Sequence, residues 1–129
     1  YRAEPVETLE AGPFDLVTCM EVIEHVDSPD HFAAALAGKL ADGGLLILST
    51  PNRTPASRAL LVEGAERLGQ IPRGTHDWDK FLTPEECEAL LTDAGLTVID
   101  SEGIAFGPGQ GLHLSDNKML NYILAAVKA

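Results

Sequence analysis

"FDLVTCMEVIEHVDSPDHFAAALAGKLADGGLLILST", residues 14–50, carries the reading of the fold. It begins with "FDLVTCM" (14–20), a short apolar run with aromatic and β-branched residues, which fits a strand buried on both faces. It ends with "LLILST" (45–50), a second apolar strand that stops at Pro51-Asn52. Between the two, Ser28 suits a helix N-cap, Pro29 the first helical position and Asp30 the first turn. Phe32, Leu36 and Leu40 recur every four residues as one apolar stripe, and Gly43-Gly44 is the expected stop. Strand, amphipathic helix and strand make a βαβ unit, with parallel strands and a right-handed crossover.

Outward from that unit, residues 1–13 are acidic, contain proline and carry no core pattern, so they read as a connecting segment with something preceding it. Residues 54–70 read as a helix weakened by Gly64 and Gly69, followed by the polar loop "PRGTHDWDKF". Thr83-Pro84-Glu85-Glu86 starts another helix, capped by Thr83 and running to about Ala94 before Gly95. "LTVIDSEGI" alternates like a half-buried strand, "GPGQG" (107–111) reads as a hairpin connection, and "LNYILAAVK" is a final strand. The expected fold is an open α/β sheet, in which ligands bind outside the carboxyl ends of the parallel strands. Residues 19–25 and 51–53 fall at such ends.

The totals bound the function. A chain of 129 residues is one domain or part of one. A formal charge of −11 argues against a general nucleic-acid binder, because no net basic field draws in a phosphate backbone. Cys19 and Cys87 lack metal-ligand spacing and suit reduced thiols in a cytoplasmic protein. No apolar run approaches a membrane-spanning length, and no basic-then-apolar leader suggests export.

Glu21, Glu24 and His25 follow the first strand at i, i+3 and i+4, a spacing that would put all three on one face of a helical turn. Two carboxylates and an imidazole suit a hard or borderline divalent cation. His25 or a glutamate can instead serve as a general base. Spacing alone slightly favours a third account, in which the glutamates favour a helix N-terminus and His25 is a surface residue. The strand-end location moves the balance toward a site. Cys19 reads as a buried apolar residue without an activating base, and Met20 as either a core or a ligand-facing side chain.

"FDLVTCMEVIEHV", "DGGLLILSTPNR", "GTHDWDKF", the Thr-Pro-Glu helix and the closing "LNY" together resemble the S-adenosylmethionine-dependent methyltransferases. More narrowly, "EVIEH" followed by "STPNR" and "GTHDW" is similar to the UbiG-type ubiquinone-biosynthesis O-methyltransferases. The resemblance covers about residues 14–128. It implies a Rossmann-like class I methyltransferase sheet, of which this chain is the C-terminal half: strands four to seven, the last antiparallel. The glycine-rich cofactor loop of such enzymes follows the first strand of the sheet, and no such loop is found here, so residues 1–129 are expected to be the C-terminal part of a single domain. The chain alone is accordingly expected to bind the cofactor poorly. The implied activity is O-methylation of a polyprenylated catechol, with S-adenosylmethionine as cofactor and Mg²⁺ or another divalent cation beside it. Cys19 and Met20 then lie next to the cofactor. The implied metal set is Glu21, Glu24 and His25, with His76 arriving from a later loop as in similarly built RNA 2′-O-methyltransferases. Glu24 and His25 are the catalytic candidates. Metal activation of the phenol and direct general-base catalysis both stand open. The alternatives are another small phenol, an RNA 2′-hydroxyl, or a non-catalytic remnant or interaction module. An upstream glycine-rich loop would discriminate the enzyme from the remnant.

Residues 53–73 carry Arg53, Arg58, Arg67 and Arg73 against Glu63 and Glu66, together with Leu60, Leu61, Val62, Ala65, Leu68 and Ile71. A substrate with a prenyl tail lives in a bilayer, so this basic, apolar segment is a candidate for docking on anionic lipid. A helix packed on the sheet accounts for it more simply. The expected location is cytoplasmic, peripheral at the inner face of the membrane. Other ubiquinone-biosynthesis proteins are possible partners in this setting, and DNA is not one.

Overall fold

A computed structural model describes residues 1–64 and 77–129. Within them the chain forms β1 (Phe14–Met20), α1 (Pro29–Gly38), β2 (Leu40–Pro51), the short α2 (Pro55–Ser57), α3 (Pro84–Asp93), β3 (Leu96–Gly107), β4 (Gly111–Ser115) and β5 (Asn121–Lys128). The sheet runs β1-β2-β5-β3-β4. β1 and β2 pair in parallel, as a βαβ unit requires. β5 enters last, antiparallel to both β2 and β3. The expected open α/β sheet with an antiparallel last strand is therefore present.

The period of two along β2 and β5 sorts the core. Leu46, Leu48 and Thr50 pair across to Ala126, Leu124 and Tyr122, and all six are buried on one face. On that face they meet Phe32, Ala33, Leu36 and Ala37 of α1 and Cys87 and Leu91 of α3. Each buried leucine contributes roughly 1.5–3 kcal/mol by leaving water. The fully buried Tyr122 satisfies its hydroxyl on the carbonyls of Leu82 and Thr83, tying β5 to the entry of α3. That entry is the expected one: Thr83 accepts from the Glu86 N–H and Glu86 accepts from the Thr83 N–H.

Four points depart from expectation. β1 is not buried on both faces: only Cys19 is, while Leu16 is 57% and Met20 46% exposed. Within this chain and among the described residues β1 borders the sheet, and α1 and α3 pack on one face, where Cys19 points. α1 stops at Gly38 rather than at Gly43-Gly44, and Leu40 continues the buried stripe as the first residue of β2. The extra residues are absorbed by a register shift, in which Phe14 pairs with Leu40 but Leu16 with Leu45. Gly43 there takes φ 76, and a Cβ on Gly44 would lie 2.8 Å from the Ala41 carbonyl oxygen. Ser28 occupies the N-cap position of α1 but makes no side-chain cap bond. Finally, β4 was not foreseen. It pairs with β3 across "GPGQG", whose turn is closed by the Gln110 N–H on the Gly107 carbonyl (3.1 Å), which makes that stretch a hairpin turn.

The expected helix over 54–70 is described only in part, as α2 continued by a π-helical turn over Arg58–Gly64. The rest of it, and the first half of the "PRGTHDWDKF" loop including His76, lie outside the described residues.

Candidate active site

β1 and β2 finish side by side, and β5 starts at the same end of the sheet, with Pro51 opposite Asn121. Glu21 is the first residue beyond β1. Its N–H bonds the Ser49 carbonyl (2.9 Å), and its backbone turns into the left-handed region at φ 56. The next residues form a single 3₁₀ turn, Ile23–His25, rather than the start of α1. The expected shared helical face of Glu21, Glu24 and His25 is thus not formed, because Glu21 is not helical. Its carboxylate instead accepts from the Asn121 Nδ2. Glu24 turns inward, 2% exposed, and accepts from the Thr50 hydroxyl at 2.8 Å. His25 stands beside it, its Nε2 3.7 Å from Glu24 Oε1, with nearly half of its side chain open to solvent. The fully buried Ile23 holds the turn against the core. The structure therefore brings Glu24 and His25 together, and Glu21 lies close enough to feel the charge of Glu24.

That charge matters. The Glu21 carboxyl is pushed up to about 7, first by desolvation and next by Glu24, with hydrogen bonds from Ser49 and Asn121 pulling the other way. Glu21 still touches solvent, which tempers the effect without changing its direction. A carboxyl in this range can take up or release a proton near neutral pH. Cys19 is the opposite case: burial, then Glu24, pushes its thiol up to about 12, so it is no nucleophile.

Among the described residues, no three His, Cys, Asp or Glu side chains come together as a metal cage. Glu24 is directed at Thr50 and Glu21 at Asn121, and His76, the fourth expected donor, lies outside the described residues. The donors in place do not fit a cation as they stand.

Cys19 and Met20, the expected cofactor neighbours, line one cavity of ≈ 440 Å³ with Val17, Val22 and Phe32 at the edge of β1. The Cys19 side chain belongs to the core, while Met20 is exposed, so Met20 is not a core methionine. A second cavity of ≈ 400 Å³ is lined by Glu21, Ser49, Leu61 and Asn121. Sequence reasoning missed Ser49, Thr50 and Asn121. The only hint was the polar end of each strand, Ser49-Thr50 in "LLILST" and Asn121 in "LNY". Trp78 anchors a loop, its indole N–H donating to the Thr54 carbonyl (2.9 Å). In the basic segment, Arg53 pairs with Glu86 (2.9 Å), while Arg58 pairs with Glu63 (3.5 Å) and lies over the Trp78 ring. Arg67 and Arg73 lie outside the described residues. His31 is exposed, and His113 is half-buried beside the Gly111 carbonyl.

Comparison with known proteins accords with this geometry. The profile of a methyltransferase domain matches residues 2–101. A ubiquinone biosynthesis O-methyltransferase of Xanthomonas axonopodis pv. citri is 45% identical, over 99% of this chain and 56% of its own length. The protein of the same description in Methylobacterium nodulans is also 45% identical, over 98% of this chain and 52% of its own length. The chain thus spans about half the length of the curated relatives it matches. Among solved structures, a possible histamine N-methyltransferase from Thermotoga maritima superposes with a TM-score of 0.68 at 17% identity, covering 96% of this chain and 61% of that one. The magnesium protoporphyrin IX methyltransferase of Synechocystis, solved with bound S-adenosylhomocysteine, gives 0.62 at 22% identity, covering 98% and 49%. These likenesses establish the S-adenosylmethionine-dependent methyltransferase fold.

Proposed function

This chain belongs to the methyltransferase-domain family, and from that premise we propose that it is the C-terminal half of an enzyme O-methylating a polyprenylated catechol in ubiquinone biosynthesis. The observation that carries the reading is the likeness to the two ubiquinone-biosynthesis enzymes, which holds over almost the whole chain. A carboxylate pair at the strand ends is consistent with it. S-adenosylmethionine, when bound, supplies the methyl group as an electrophilic sulfonium. The chain's own task is then to make an aryl hydroxyl a better nucleophile, since a free phenol ionises only near pH 10.

Glu24 is fixed by Thr50 and stands beside His25, a pair that can accept the hydroxyl proton as the oxygen attacks the methyl carbon. The oxygen–carbon bond forms as the carbon–sulfur bond breaks, and the proton leaves to Glu24 or His25. Cys19 and Met20 flank the cavity on the cofactor side. The glycine-rich loop for the cofactor belongs to the remainder of the enzyme. Mg²⁺ on Glu21, Glu24, His25 and His76 is the finer form of the proposal. It requires both glutamates to turn from their present partners, so no step above is routed through it. Contact of residues 53–73 with anionic lipid, partner proteins of the same pathway and a place at the inner membrane face are likewise part of the proposal.

The test is methyl transfer by the protein carrying this chain, from methyl-labelled S-adenosylmethionine to a short-chain prenylated catechol. Label should appear on the catechol, and Glu24→Gln should lower kcat by roughly 10²-fold or more. Dialysis against EDTA with Mg²⁺ restored afterwards decides the metal. Label on an RNA 2′-hydroxyl and none on the catechol would overturn the reading.

A further inference from the structure

The second cavity has features that neither Glu24 nor the cofactor side uses. Its polar edge is Glu21, Ser49 and Asn121; its walls are Leu61, Ile104 and Leu112. It lies at the carboxyl ends of β1 and β2, where Asn121 opens β5 opposite both Pro51 and Ile104. β3 runs past that last pair to Gly107, and β4 pairs with the overhang, so Leu112 is carried beyond the end of the main sheet. Leu112 is 76% exposed there, an apolar side chain held against water by a short hairpin. At ≈ 400 Å³ the cavity falls within the ~300–1,000 Å³ range of small-molecule sites, with more room than one aromatic ring needs.

We propose that this cavity seats the acceptor itself, an aryl ring of whose two hydroxyls the one that is not methylated meets Glu21 and whose apolar substituent runs along Ile104 and Leu112. Asn121 is the positioning residue: by donating to Glu21 Oε1 it fixes the carboxylate at the cavity rim. The proposal deepens the methyl-transfer reading and rests on it for the acceptor class. A hydroxyl is the donor a carboxylate rim can receive, and the leucine and isoleucine walls take the ring and its substituent. A nucleotide acceptor would bring phosphate against Glu21 and a chain of charge −11. Both cavities reach the end of β1, Met20 lining one and Glu21 the other, which sets an acceptor next to the cofactor neighbours.

The experiment is titration of the 129-residue chain with 4-tert-butylcatechol, followed by amide NMR. Saturable shifts should map to Glu21, Ser49, Ile104, Leu112 and Asn121. Leu112→Ser, at an exposed position, should raise Kd about five- to tenfold without disturbing amides elsewhere. Asn121→Asp keeps the shape of the side chain but loses its N–H donor, so it should weaken binding about as much as Asn121→Ala, roughly tenfold. A purely structural Asn121 would instead show in the unliganded variants as amide shifts spread well beyond the cavity. The proposal is overturned by the absence of saturable shifts, by shifts centred on Val17 and Phe32, or by variants that bind like the parent chain. Binding at the assigned residues without methyl transfer by the whole enzyme would keep the cavity and remove the methyl-transfer reading. Transfer with the catechol mapped elsewhere would do the reverse.

Discussion

At Glu21 a non-glycine residue is held at φ 56, a conformation that costs about 1–2 kcal/mol. Strain of this kind persists where surroundings over-determine it, and here the Ser49 carbonyl holds the N–H and Asn121 the carboxylate. The carboxyl, pushed up to about 7 in the folded chain, ionises near 4.5 when unfolded. Between those values the folded state retains a proton that the unfolded state has released. Glu21 therefore makes the protein lose stability as pH rises through about 4.5 to 7, with no further change above that. Glu21→Gln abolishes this contribution. Urea unfolding with chelator present, at pH 5 and pH 8, should show the variant gaining stability relative to the parent at the higher pH; a relative loss would contradict the assignment. The cluster itself was legible in the sequence, because two glutamates and a histidine after an apolar strand are conspicuous. Its geometry was not. The partners that fix it, Thr50 and Asn121, lie 26 and 100 residues from Glu24 and Glu21, and no local spacing carries that information.

Among the elements, those specified by local chemistry were the readable ones. Thr83-Pro84-Glu85-Glu86 dictates a capping box from residues within one turn, and the box is formed. It also holds a longer link, since Arg53, just past β2, bonds both Glu86 (3.0 Å) and the Phe81 carbonyl (2.9 Å). Hydrogen bonds from the Thr83 N–H and then Arg53 outweigh desolvation and hold the Glu86 carboxyl below its usual value. Thr83→Ala should cost about 1 kcal/mol in urea unfolding, and Thr83→Ser much less, because serine keeps the acceptor. Equal losses for the two would show that the methyl group, not the cap, is what counts. Elements that depend on neighbours read poorly. β1 has the composition of a central strand yet borders the sheet within this chain, and β4 is five residues, alternating through Leu112 and Leu114, that the sequence reading left unassigned.

At the scale of the whole sheet, helices α1 and α3 cover one face, and on the opposite face, among the described residues, Ile47, Ile123 and Ala125 line an apolar cavity beside Asp100 and Glu102. The layered architecture was legible because the period of two and the helix signals agreed over residues 14–50. The position of β5 between β2 and β3 was not written in any local pattern, and the resemblance implied only that the last strand runs antiparallel. That topology bears on cofactor binding. The one glycine cluster, "GPGQG", closes the β3–β4 hairpin and is not flanked by a parallel strand and a helix N-terminus, so it offers no cradle of the kind that receives a nucleotide or its relatives. The cavity at Cys19 and Met20 is mostly apolar, with Glu7 as its one charged lining residue. A zwitterionic amino-acid end needs donors for its carboxylate, and a ribose needs acceptors placed for both hydroxyls. Calorimetric titration of the 129-residue chain with S-adenosylhomocysteine should accordingly give a Kd weaker than about 100 μM, less than about 5.5 kcal/mol of binding. A micromolar value would mean that this half of the fold holds the cofactor unaided, and the division of labour between cofactor loop and strand-end carboxylates would have to be redrawn.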